Sequence, residues 1–392
     1  MSGLESVIAT NKTAFYVFDV ATLKERVRFL KSRMPKNVEI CYAVKANPFV
    51  AKEIDEDLNK FELCSPGEYE ICKNLGIDSG KMVISGVYKT PSFIESLVAD
   101  AEFRGIYTAE SMEQYRLLCH LADKYNRKIE VLPRLTNSSQ FGVNESEIEE
   151  IIRSLSAHPN IVCHGIQFFS GTQKSSTKKI RREIEHLDEF LTHLKDDLGF
   201  ESQVLEYGGG FPVAYFDGEE LDEETYLAEF AEIVNGMTYK TGITLELGRS
   251  IVASCGKYFT HIVDFKCNKG DNYALVDGGM HHIVYFGQQI AMKHPKMHVV
   301  GKDADPNGKE WTICGALCSM HDIIVKQMPL PKIEIGDVIC FENAGAYCVM
   351  EGISLFLSRD LPAVYILQQN GEAVCVRETF ETATLNTPNY NK

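Results

Sequence analysis

The feature that most constrains the fold is a regular alternation of short apolar runs with longer helical patterns through the first two thirds of the sequence. After a strand-like run at 15–20 and a helix over about 21–35, eight strand candidates follow, and a helical or turn–helix segment separates each from the next. They lie at 39–47, 60–65, 82–86, 105–110, 128–136, 161–170, 203–210 and 244–253. Strands that alternate with helices form parallel βα units, and eight in about 215 residues match the size of a (β/α)8 barrel. An open doubly wound sheet is the alternative that this pattern leaves open.

The pattern changes after about residue 254, where the runs become short and β-rich and are separated by Gly, Pro, Asn and Asp. Such runs are typical of an all-β domain. We therefore predict an α/β protein in three parts: an N-terminal strand and helix over 1–35, a (β/α)8 barrel over 36–254, and a C-terminal β-sandwich or β-barrel domain over 255–392. The first strand stands outside the eight and is predicted to join the C-terminal domain.

Charge and cysteine content exclude several classes of partner. The 392 residues contain 40 Lys and Arg against 55 Asp and Glu, which gives a net charge of −15. A chain this acidic has no general attraction for nucleic acid or for an anionic membrane surface, so any anionic ligand needs a local site. The sequence shows neither a secretory signal nor an apolar run long enough to span a membrane. Because the twelve cysteines lack the spacing of a disulfide scaffold, we predict reduced thiols and a cytoplasmic protein.

Chemically active residues are predicted where the barrel strands end, because ligand-binding groups of such barrels cluster at the carboxyl edge. The residues at these ends are Lys45, Glu62, Ser65, Arg134, 169–172, 208–210, Glu246 and Arg249. Small-residue loops with N–H groups, a hydroxyl and an arginine make a phosphate site. A lysine beside it suggests an imine to a phosphorylated aldehyde, and a nearby carboxylate would hold a pyridinium proton. Each feature alone also has a purely structural interpretation. The lysine would be a solvated surface charge, the three glycines would form a turn, and Glu246 would pair with Arg249.

No metal site is predicted. Cys314 and Cys318 are spaced as CxxxC without nearby partners, which favours structural thiols over zinc ligands. His281 and His282 are adjacent, and adjacent residues of a strand point to opposite faces.

Seven motifs occur in one order along most of the chain. They are YAVKAN at 42–47, a Ser-x-x-Glu at 65–68, GIQFFSGTQ at 165–173, GGGFP at 208–212, ELGRS at 246–250, CGALC followed by Asp322, and GAY at 345–347. With these motifs the sequence resembles, from about residue 13 to about residue 366, the fold-type III pyridoxal-phosphate decarboxylases, the group of diaminopimelate, ornithine and arginine decarboxylases. The resemblance implies an alanine racemase-like fold, a barrel followed by a β domain.

The resemblance also implies pyridoxal 5'-phosphate as the cofactor and a role for each matching residue. Lys45 would form an aldimine with it, and Glu246 would keep the pyridine nitrogen protonated so that a quinonoid intermediate can form. The phosphate and the rest of the cofactor would be held by Thr172, Gly209, Gly210, Arg249, Tyr347, Glu62, Arg134, Phe169 and Gly248. Cys318 would reach the active site from the partner subunit and help to protonate the carbanion, so a homodimer with shared active sites is implied.

The sequence departs from the family pattern at several positions. Phe169 stands where the family has a ring-stacking histidine, and Leu247 replaces the proline of E-P-G-R. Ser319 stands where basic amino-acid decarboxylases place an acidic residue for the distal amine of the substrate. Tyr285 and Gln289 stand where diaminopimelate enzymes use an arginine and a tyrosine. Losing an ion-pair partner weakens the binding of a charged distal group, so free diaminopimelate is disfavoured.

The segments DGGMHH and GISLFLSRDLPA resemble instead a branch in secondary metabolism, which includes decarboxylases of siderophore intermediates and of the carrier-bound glutamyl group in butirosin synthesis. We therefore predict decarboxylation of an amino-acid-derived substrate, either a small molecule or bound to a carrier protein. The predicted substrate-binding residues are Tyr285, Gln289, Ser319 and Asp322. The alternatives are a diaminopimelate or basic amino-acid decarboxylase, an amino-acid racemase and a catalytically inactive regulator. Glu246 disfavours the racemase, and Lys45 disfavours the inactive regulator.

Overall fold

The structure, a computed structural model, describes residues 3–288 and 291–389. The chain forms two compact units, each of which is described by itself. The barrel unit comprises Val27–Pro212 and Leu221–Ile251, and the β unit comprises Met1–Arg26, Val213–Glu220 and Val252–Lys392. The first division falls after Arg26, whereas the N-terminal part predicted from the sequence extends to residue 35.

The strands and helices alternate through the barrel unit and are mostly strands in the β unit. The strands are β1 (Phe15–Asp19), β2 (Val38–Ala43), β3 (Lys60–Leu63), β4 (Met82–Ile84), β5 (Ile106–Ala109), β6 (Ile129–Leu135), β7 (Ile161–Val162), β8 (Gly165–Phe169), β9 (Val204–Gly208), β10 (Gly242–Leu247), β11 (Gly256–Asn268), β12 (Asp271–Val276), β13 (Met297–Val299), β14 (Lys309–Cys314), β15 (Ile323–Leu330), β16 (Val338–Phe341), β17 (Ala363–Leu367) and β18 (Ala373–Arg377). The helices are α1 (Gly3–Thr10), α2 (Val20–Arg33), α3 (Pro66–Asn74), α4 (Pro91–Ala99), α5 (Met112–Lys124), α6 (Glu145–Ser154), α7 (Thr177–Leu198), α8 (Glu223–Asn235), α9 (Arg249–Val252) and α10 (Ala383–Asn386).

The barrel unit contains a closed sheet of parallel strands. Within the described residues, β5, β4, β3, β2, β10, β9, β8 and β6 follow one another around the sheet, and β6 pairs again with β5. The short β7 pairs with β6. The closure confirms the predicted (β/α)8 barrel and excludes the open doubly wound sheet.

Polar side chains fill part of the barrel. On β9 the apolar Leu205 and Tyr207 alternate with Glu206, and successive residues of a strand face opposite sides of its sheet. Thr108, Gln167, Glu206 and Thr244 lie on four of the strands, and each is 0% exposed. Barrels of this kind are usually filled by branched apolar side chains. A polar filling therefore indicates that this interior serves a function.

Among the predicted strands, the runs at 161–170 and 244–253 are interrupted in the structure. The run at 161–170 divides into β7 and β8, because the backbone at His164 turns aside to accept a hydrogen bond from the Gln203 N–H, 2.7 Å away. A side chain at Gly165 would collide with the carbonyl of Val204, so the chain can pass β9 closely only with glycine there. The run at 244–253 ends as a strand at Leu247, and α9 begins at Arg249.

The β unit is built on a mixed sheet. β15, β14, β12, β11, β1, β17 and β18 follow one another in it, and β16 branches from β11 and pairs with β13. β1 runs antiparallel to β11 and parallel to β17. Helix α1, which the sequence pattern did not predict, contributes Val7 to an apolar cluster with Phe15, Val17 and Phe259. Within the described residues, no helix combines the length and the apolar character that a membrane span requires.

The two adjacent histidines lie in a turn after β12 rather than in a strand. The expectation that His281 and His282 face opposite sides is therefore wrong, and their ring centroids are 3.9 Å apart. The ring of His282 is held at both nitrogens, by the Tyr258 hydroxyl at 3.1 Å and by the main-chain oxygen of Asp360 at 2.8 Å.

Candidate active site

Lys45 lies at the carboxyl edge of the barrel, in a turn after β2. The prediction that it sits inside a strand over 39–47 is wrong, because β2 ends at Ala43 and a single turn of 3-10 helix spans Val44–Ala46. The N–H of Asn47 donates to the carbonyl of Val44 and closes this turn, and the Asn47 side chain accepts from the N–H of Phe49 and caps a second turn that begins with proline. The turn leaves the Lys45 side chain 38% exposed. Its amine is thus open to a ligand at the barrel edge.

Glu62, at the end of β3, is the charged partner of Lys45. The Lys45 Nζ lies 2.8 Å from the Glu62 Oε2 and 3.3 Å from the Cys64 Sγ. Burial alone would raise the pKa of Glu62, but the charge and the hydrogen bond of Lys45 lower it below its usual range. The loop is fixed by a reciprocal cap, since the Ser65 hydroxyl accepts from the N–H of Glu68, and the Glu68 carboxylate accepts from the N–H of Cys64.

Arg134 and Phe169 lie at the ends of β6 and β8. Arg134 Nη1 donates to Glu110 Oε1 at 2.6 Å, and both side chains are buried. The Arg134 guanidinium carbon lies 5.8 Å from the centroid of the Phe169 ring. A Cβ on Gly208 would collide with this ring, so glycine at the end of β9 allows the aromatic ring to take its position.

Two small-residue loops approach each other beside these strand ends. The N–H of Lys174 donates to the carbonyl of Gly210 at 2.9 Å and joins the loop after β8 to the loop after β9. Gly210 has a φ of +61°, and a Cβ there would strike the carbonyl of Gly171. Both loops therefore need glycine to come this close. Thr172, in the loop after β8, is exposed, and Gly209, in the loop after β9, is buried.

Glu246, on β10, lies within the barrel interior. Its Oε1 accepts a hydrogen bond of 2.6 Å from Gln167 Nε2. Burial, followed by the charge of Glu62, raises the pKa of Glu246 to about 7. Gly248 follows the strand, and the buried Arg249 begins α9. The structure thus brings Lys45, Glu62 and Glu246 into one electrostatic cluster.

The remaining predicted residues belong to the β unit. Cys318 is exposed, and Ser319 follows it with its hydroxyl accepting from the N–H of His321 at 3.2 Å. The buried Asp322 carboxylate accepts from the N–H groups of Met280 and Leu317 at 2.8 and 2.7 Å, so it holds two loops together.

The other β-unit residues differ in how far they are accessible. Tyr285 is fully buried and donates to the main-chain oxygen of Glu342 at 2.6 Å. Tyr347 is partly buried and has a φ of +65°. Gln289 lies outside the described residues. Among the predicted residues of the β unit that the structure describes, Cys318 is thus the most open to a ligand.

Comparison with known proteins identifies the family. Residues 20–253 match the model of the pyridoxal-binding domain of pyridoxal-dependent decarboxylases. The chain belongs to the pyridoxal-dependent decarboxylases. This decarboxylase is 26% identical over 394 residues to the L-glutamyl-(BtrI acyl-carrier protein) decarboxylase of Niallia circulans, covering 93% of this chain and 91% of that protein.

Two further relatives show the range of the family. The decarboxylase of 2-((L-alanin-3-ylcarbamoyl)methyl)-2-hydroxybutanedioate from Staphylococcus aureus is 25% identical over 391 residues, which are 91% of this chain and 94% of that protein. The crystal structure of diaminopimelate decarboxylase from Helicobacter pylori, complexed with L-lysine, superposes with a TM-score of 0.84 at 23% identity, covering 97% of this chain and 98% of that one. The fold is therefore that of the decarboxylase structures.

The barrel edge of this decarboxylase fits pyridoxal 5'-phosphate, the cofactor of the family. The donor set contains a primary amine for an aldehyde, an aromatic ring for stacking and a buried acid for a pyridine nitrogen. Gly208 lets the Phe169 ring lie against β9, and Gly210 lets the loop after β9 approach the carbonyl of Gly171, so the glycines bring the ring and the two small-residue loops together at this edge.

Sequence reasoning missed three polar residues of this decarboxylase. Glu110 pairs with Arg134, Gln167 holds Glu246, and Glu206 is buried with them in the barrel. The alternation of side chains along a strand could have revealed two of them, because Gln167 is two residues before Phe169 and Glu206 is two residues before Gly208. Each therefore faces the same side of its strand as a residue of the predicted site.

Proposed function

We propose that this decarboxylase removes the α-carboxyl group of an amino acid that is attached through its side chain to a larger acyl group, with Lys45 as the residue that binds the cofactor. The observation that carries the assignment is the juxtaposition of Lys45 with Glu62 at 2.8 Å, at the carboxyl edge of a barrel that also buries Glu246. Release of carbon dioxide from an amino-acid substrate in the presence of pyridoxal phosphate is the test.

The chain's residues would divide the work as follows. The bound cofactor supplies a sink for the electron pair that remains when carbon dioxide leaves. The Lys45 amine would bind the aldehyde carbon and release it when the substrate amine arrives. Glu246 would hold a proton at the pyridine nitrogen, and Phe169 would pack on the ring.

The remaining groups would orient and bind. Glu62, held beside the Lys45 amine, would accept its proton or keep it oriented, depending on the charge of the lysine. The phosphate would be bound by the loops at Thr172 and 209–210 and by Arg249 and Tyr347, with Arg134 and Gly248 supporting the ring side. Cys318 would return a proton to the substrate carbon.

The proposed substrate class is supported by the relatives' substrates and by one position of this chain. One relative acts on a glutamyl group on a carrier protein, and in the substrate of another an alanine is joined through C3 to a carbamoyl group. Removal of an α-carboxyl group requires that group to be free, so a glutamyl group on a carrier would be joined through its side-chain carboxyl, and in both substrates the side chain would then end in an acyl link rather than in a free ammonium. Ser319, uncharged and beside the exposed Cys318, suits such a side chain because it demands no distal charge. Tyr285, Gln289 and Asp322 stay predictions, and Asp322 would act by holding its loop.

We expect acyl-linked amino acids to be turned over in preference to free diaminopimelate, lysine and ornithine. In Ser319→Asp, a carboxylate would be available to a distal ammonium, and a charge-assisted hydrogen bond should raise kcat/KM for lysine or ornithine roughly tenfold or more. Carbon dioxide release measured over this panel, with Ser319→Asn as the uncharged control of similar size, checks both statements. Efficient turnover of free diaminopimelate by the unmodified protein would instead make it a diaminopimelate decarboxylase.

We further propose that the protein acts as a homodimer with shared active sites. An exposed apolar segment at 353–357 supports the proposal, since Ile353, Leu355, Phe356 and Leu357 are 45%, 47%, 45% and 50% exposed. Met320, next to the loop that carries Cys318, is 92% exposed. Contiguous apolar side chains are rarely left in water, so this segment would be covered by a partner. A second copy of this chain is the proposed partner, because the exposed Cys318 would then be able to enter the active site of that copy.

Phe356→Asp should weaken the dimer, because a charge would be buried in an apolar interface. We expect the dissociation constant to rise roughly 30-fold or more, as for an interface hot spot, with a matching loss of activity at low protein concentration. Analytical ultracentrifugation measures the first, and carbon dioxide release the second. Ile335→Asp is the matched control, since Ile335 is an apolar side chain 64% exposed in the turn between β15 and β16.

A mixing experiment tests whether the sites are shared. Random association of Lys45→Ala with Cys318→Ala chains makes half of the dimers mixed, and each mixed dimer has one intact site, so about one quarter of the wild-type activity should return. No recovery in co-expressed chains would place Cys318 and Lys45 of one site on the same subunit.

The domain roles and the location are proposals as well. The barrel over 36–254 would bind the cofactor, and the β domain over 255–392, joined by the strand of 1–35, would supply Cys318 and Tyr347. A cytoplasmic site of action is supported by cysteines without scaffold spacing. A role in secondary metabolism is supported by the similarity to the two relatives described above.

A further inference from the structure

Glu206 is a buried acid for which the mechanism above has no role. It lies on β9 and is 0% exposed. Neither oxygen of its carboxyl group has a hydrogen-bond partner within the described residues, and the Gln167 Oε1 likewise has none. Gln167 stands directly across from Glu206 on β8, and Thr244 stands across from it on β10. Three buried acceptor atoms therefore lie in one region of the barrel without a donor.

The charged neighbours do not offer Glu206 a counter-ion. The ionisable groups that face it are Glu246 on β10, Glu62 and Lys60 on β3, and Cys41 on β2. Lys60 is committed to Glu39 at 3.0 Å, and Lys45 is committed to Glu62 at 2.8 Å. An ionised carboxylate buried without a partner costs several kcal/mol, so the group takes up a proton instead. Burial and the nearby Glu246 accordingly raise the pKa of Glu206 well above its usual value.

A proton on Glu206 also completes the hydrogen bonding. It turns one of the three unpaired acceptor atoms into a donor, and the neighbouring Glu246 carboxylate is the strongest acceptor within reach. A hydrogen bond from Glu206 lowers the pKa of Glu246 and so opposes the burial that raises it. The pair then shares one proton and carries one negative charge, and that charge resides on Glu246, which also receives the Gln167 amide at 2.6 Å.

We propose that Glu206 is a positioning residue that stays protonated, donates a hydrogen bond to Glu246 and thereby keeps Glu246 ionised and directed toward the pyridine nitrogen. This inference rests on the proposed role of Glu246 and extends it, because Glu206 would be a second buried acid that controls the charge of Glu246. Buried within the barrel, Glu206 would act through Glu246.

Two substitutions distinguish the effect of the Glu206 hydrogen-bond donor from the effect of its side-chain volume. Glu206→Gln keeps a donor of the same shape and cannot ionise, so we expect kcat at pH 7 within about threefold of wild type. Glu206→Met keeps the volume and removes the donor, so Glu246 should titrate about one pH unit higher, and kcat at pH 7 should fall roughly fivefold. The acid limb of the kcat–pH profile should move upward in Glu206→Met and stay in place in Glu206→Gln.

Infrared difference spectroscopy of the cofactor-free protein gives a readout that needs no turnover. We expect a protonated carboxylic-acid band at about pH 9, where Glu246 with its pKa of about 7 is ionised, that disappears in Glu206→Gln, and a carboxylate titration, assigned by its absence in Glu246→Gln, that shifts upward in Glu206→Met. Persistence of the acid band in Glu206→Gln, or an unshifted Glu246 titration in Glu206→Met, would overturn the inference. Failure of the proposed function shows differently, as a wild-type protein that binds no pyridoxal phosphate.

Discussion

Replacing Lys45 with alanine is expected to abolish both turnover and covalent retention of the cofactor. Borohydride reduction of the wild-type protein loaded with pyridoxal phosphate should leave a pyridoxyl group on the tryptic peptide that contains Lys45, and mass spectrometry should find none on Lys45→Ala. The rate of carbon dioxide release should fall at least about 1,000-fold, because the amine that binds the aldehyde is also the group that releases the product. The fold should survive, since the side chain is 38% exposed.

Lys89 provides the matched control for this prediction. Burial lowers the pKa of Lys89 to about 8, so its amine loses a proton more readily than that of an ordinary lysine. Its Nζ, however, donates to the carbonyl of Gly86 at 2.7 Å and lies 3.2 Å from the Thr108 hydroxyl and from the Gln114 side chain. Lys89→Met should therefore still carry the pyridoxyl group on Lys45, and a label on Lys89 in the wild-type protein would contradict the assignment.

The barrel and its functional edge could be predicted because they depend on repetition. Eight apolar runs spaced by helical patterns fix the number of strands, and parallel strands carry their ends to the same edge. Lys45, Glu62 and Glu246 were found in this way, as residues at the ends of runs. Their mutual arrangement follows from the barrel topology, and the repeated strand–helix pattern is sufficient to predict that topology.

The details that were wrong depend on single contacts. The turn that holds Lys45 is closed by a hydrogen bond from the N–H of Asn47 to the carbonyl of Val44, and an apolar run shows no sign of where it stops being extended. The polar interior was missed for a related reason. Gln167 and Glu206 sit in runs that are otherwise apolar, and only the pairing of β8 with β9 shows that the two face each other. The sequence pattern predicts which side of a strand a residue occupies, but not which residue stands opposite.

Glu246→Gln should exchange activity for stability, and the exchange should depend on pH. A neutral amide cannot hold a proton at the pyridine nitrogen through charge, so turnover should fall about 100-fold or more. In the cofactor-free protein the same change should stabilise the fold at high pH. The pKa of Glu246 is about 7 in the folded protein against 4.5 as the reference value, so between these values the folded state holds a proton that the unfolded chain has lost. The carboxyl group's contribution to the free energy of unfolding is therefore fully present below about 4.5 and is lost as pH rises through about 7.

Thermal unfolding of the cofactor-free proteins measures this exchange directly. The gain in Tm of Glu246→Gln over wild type should be larger at pH 8 than at pH 4.5, because the buried charge that the amide removes exists only at the higher pH. Asp78→Asn is a suitable control, since that carboxylate is exposed and its pKa is lowered by the N–H of Gly80 and by Arg104, so its loss should cost stability at pH 8 rather than add it. An equal gain at both pH values would mean that Glu246 remains protonated throughout. The Glu246 carboxylate, which would serve the cofactor, would then not be the group that destabilises the cofactor-free protein.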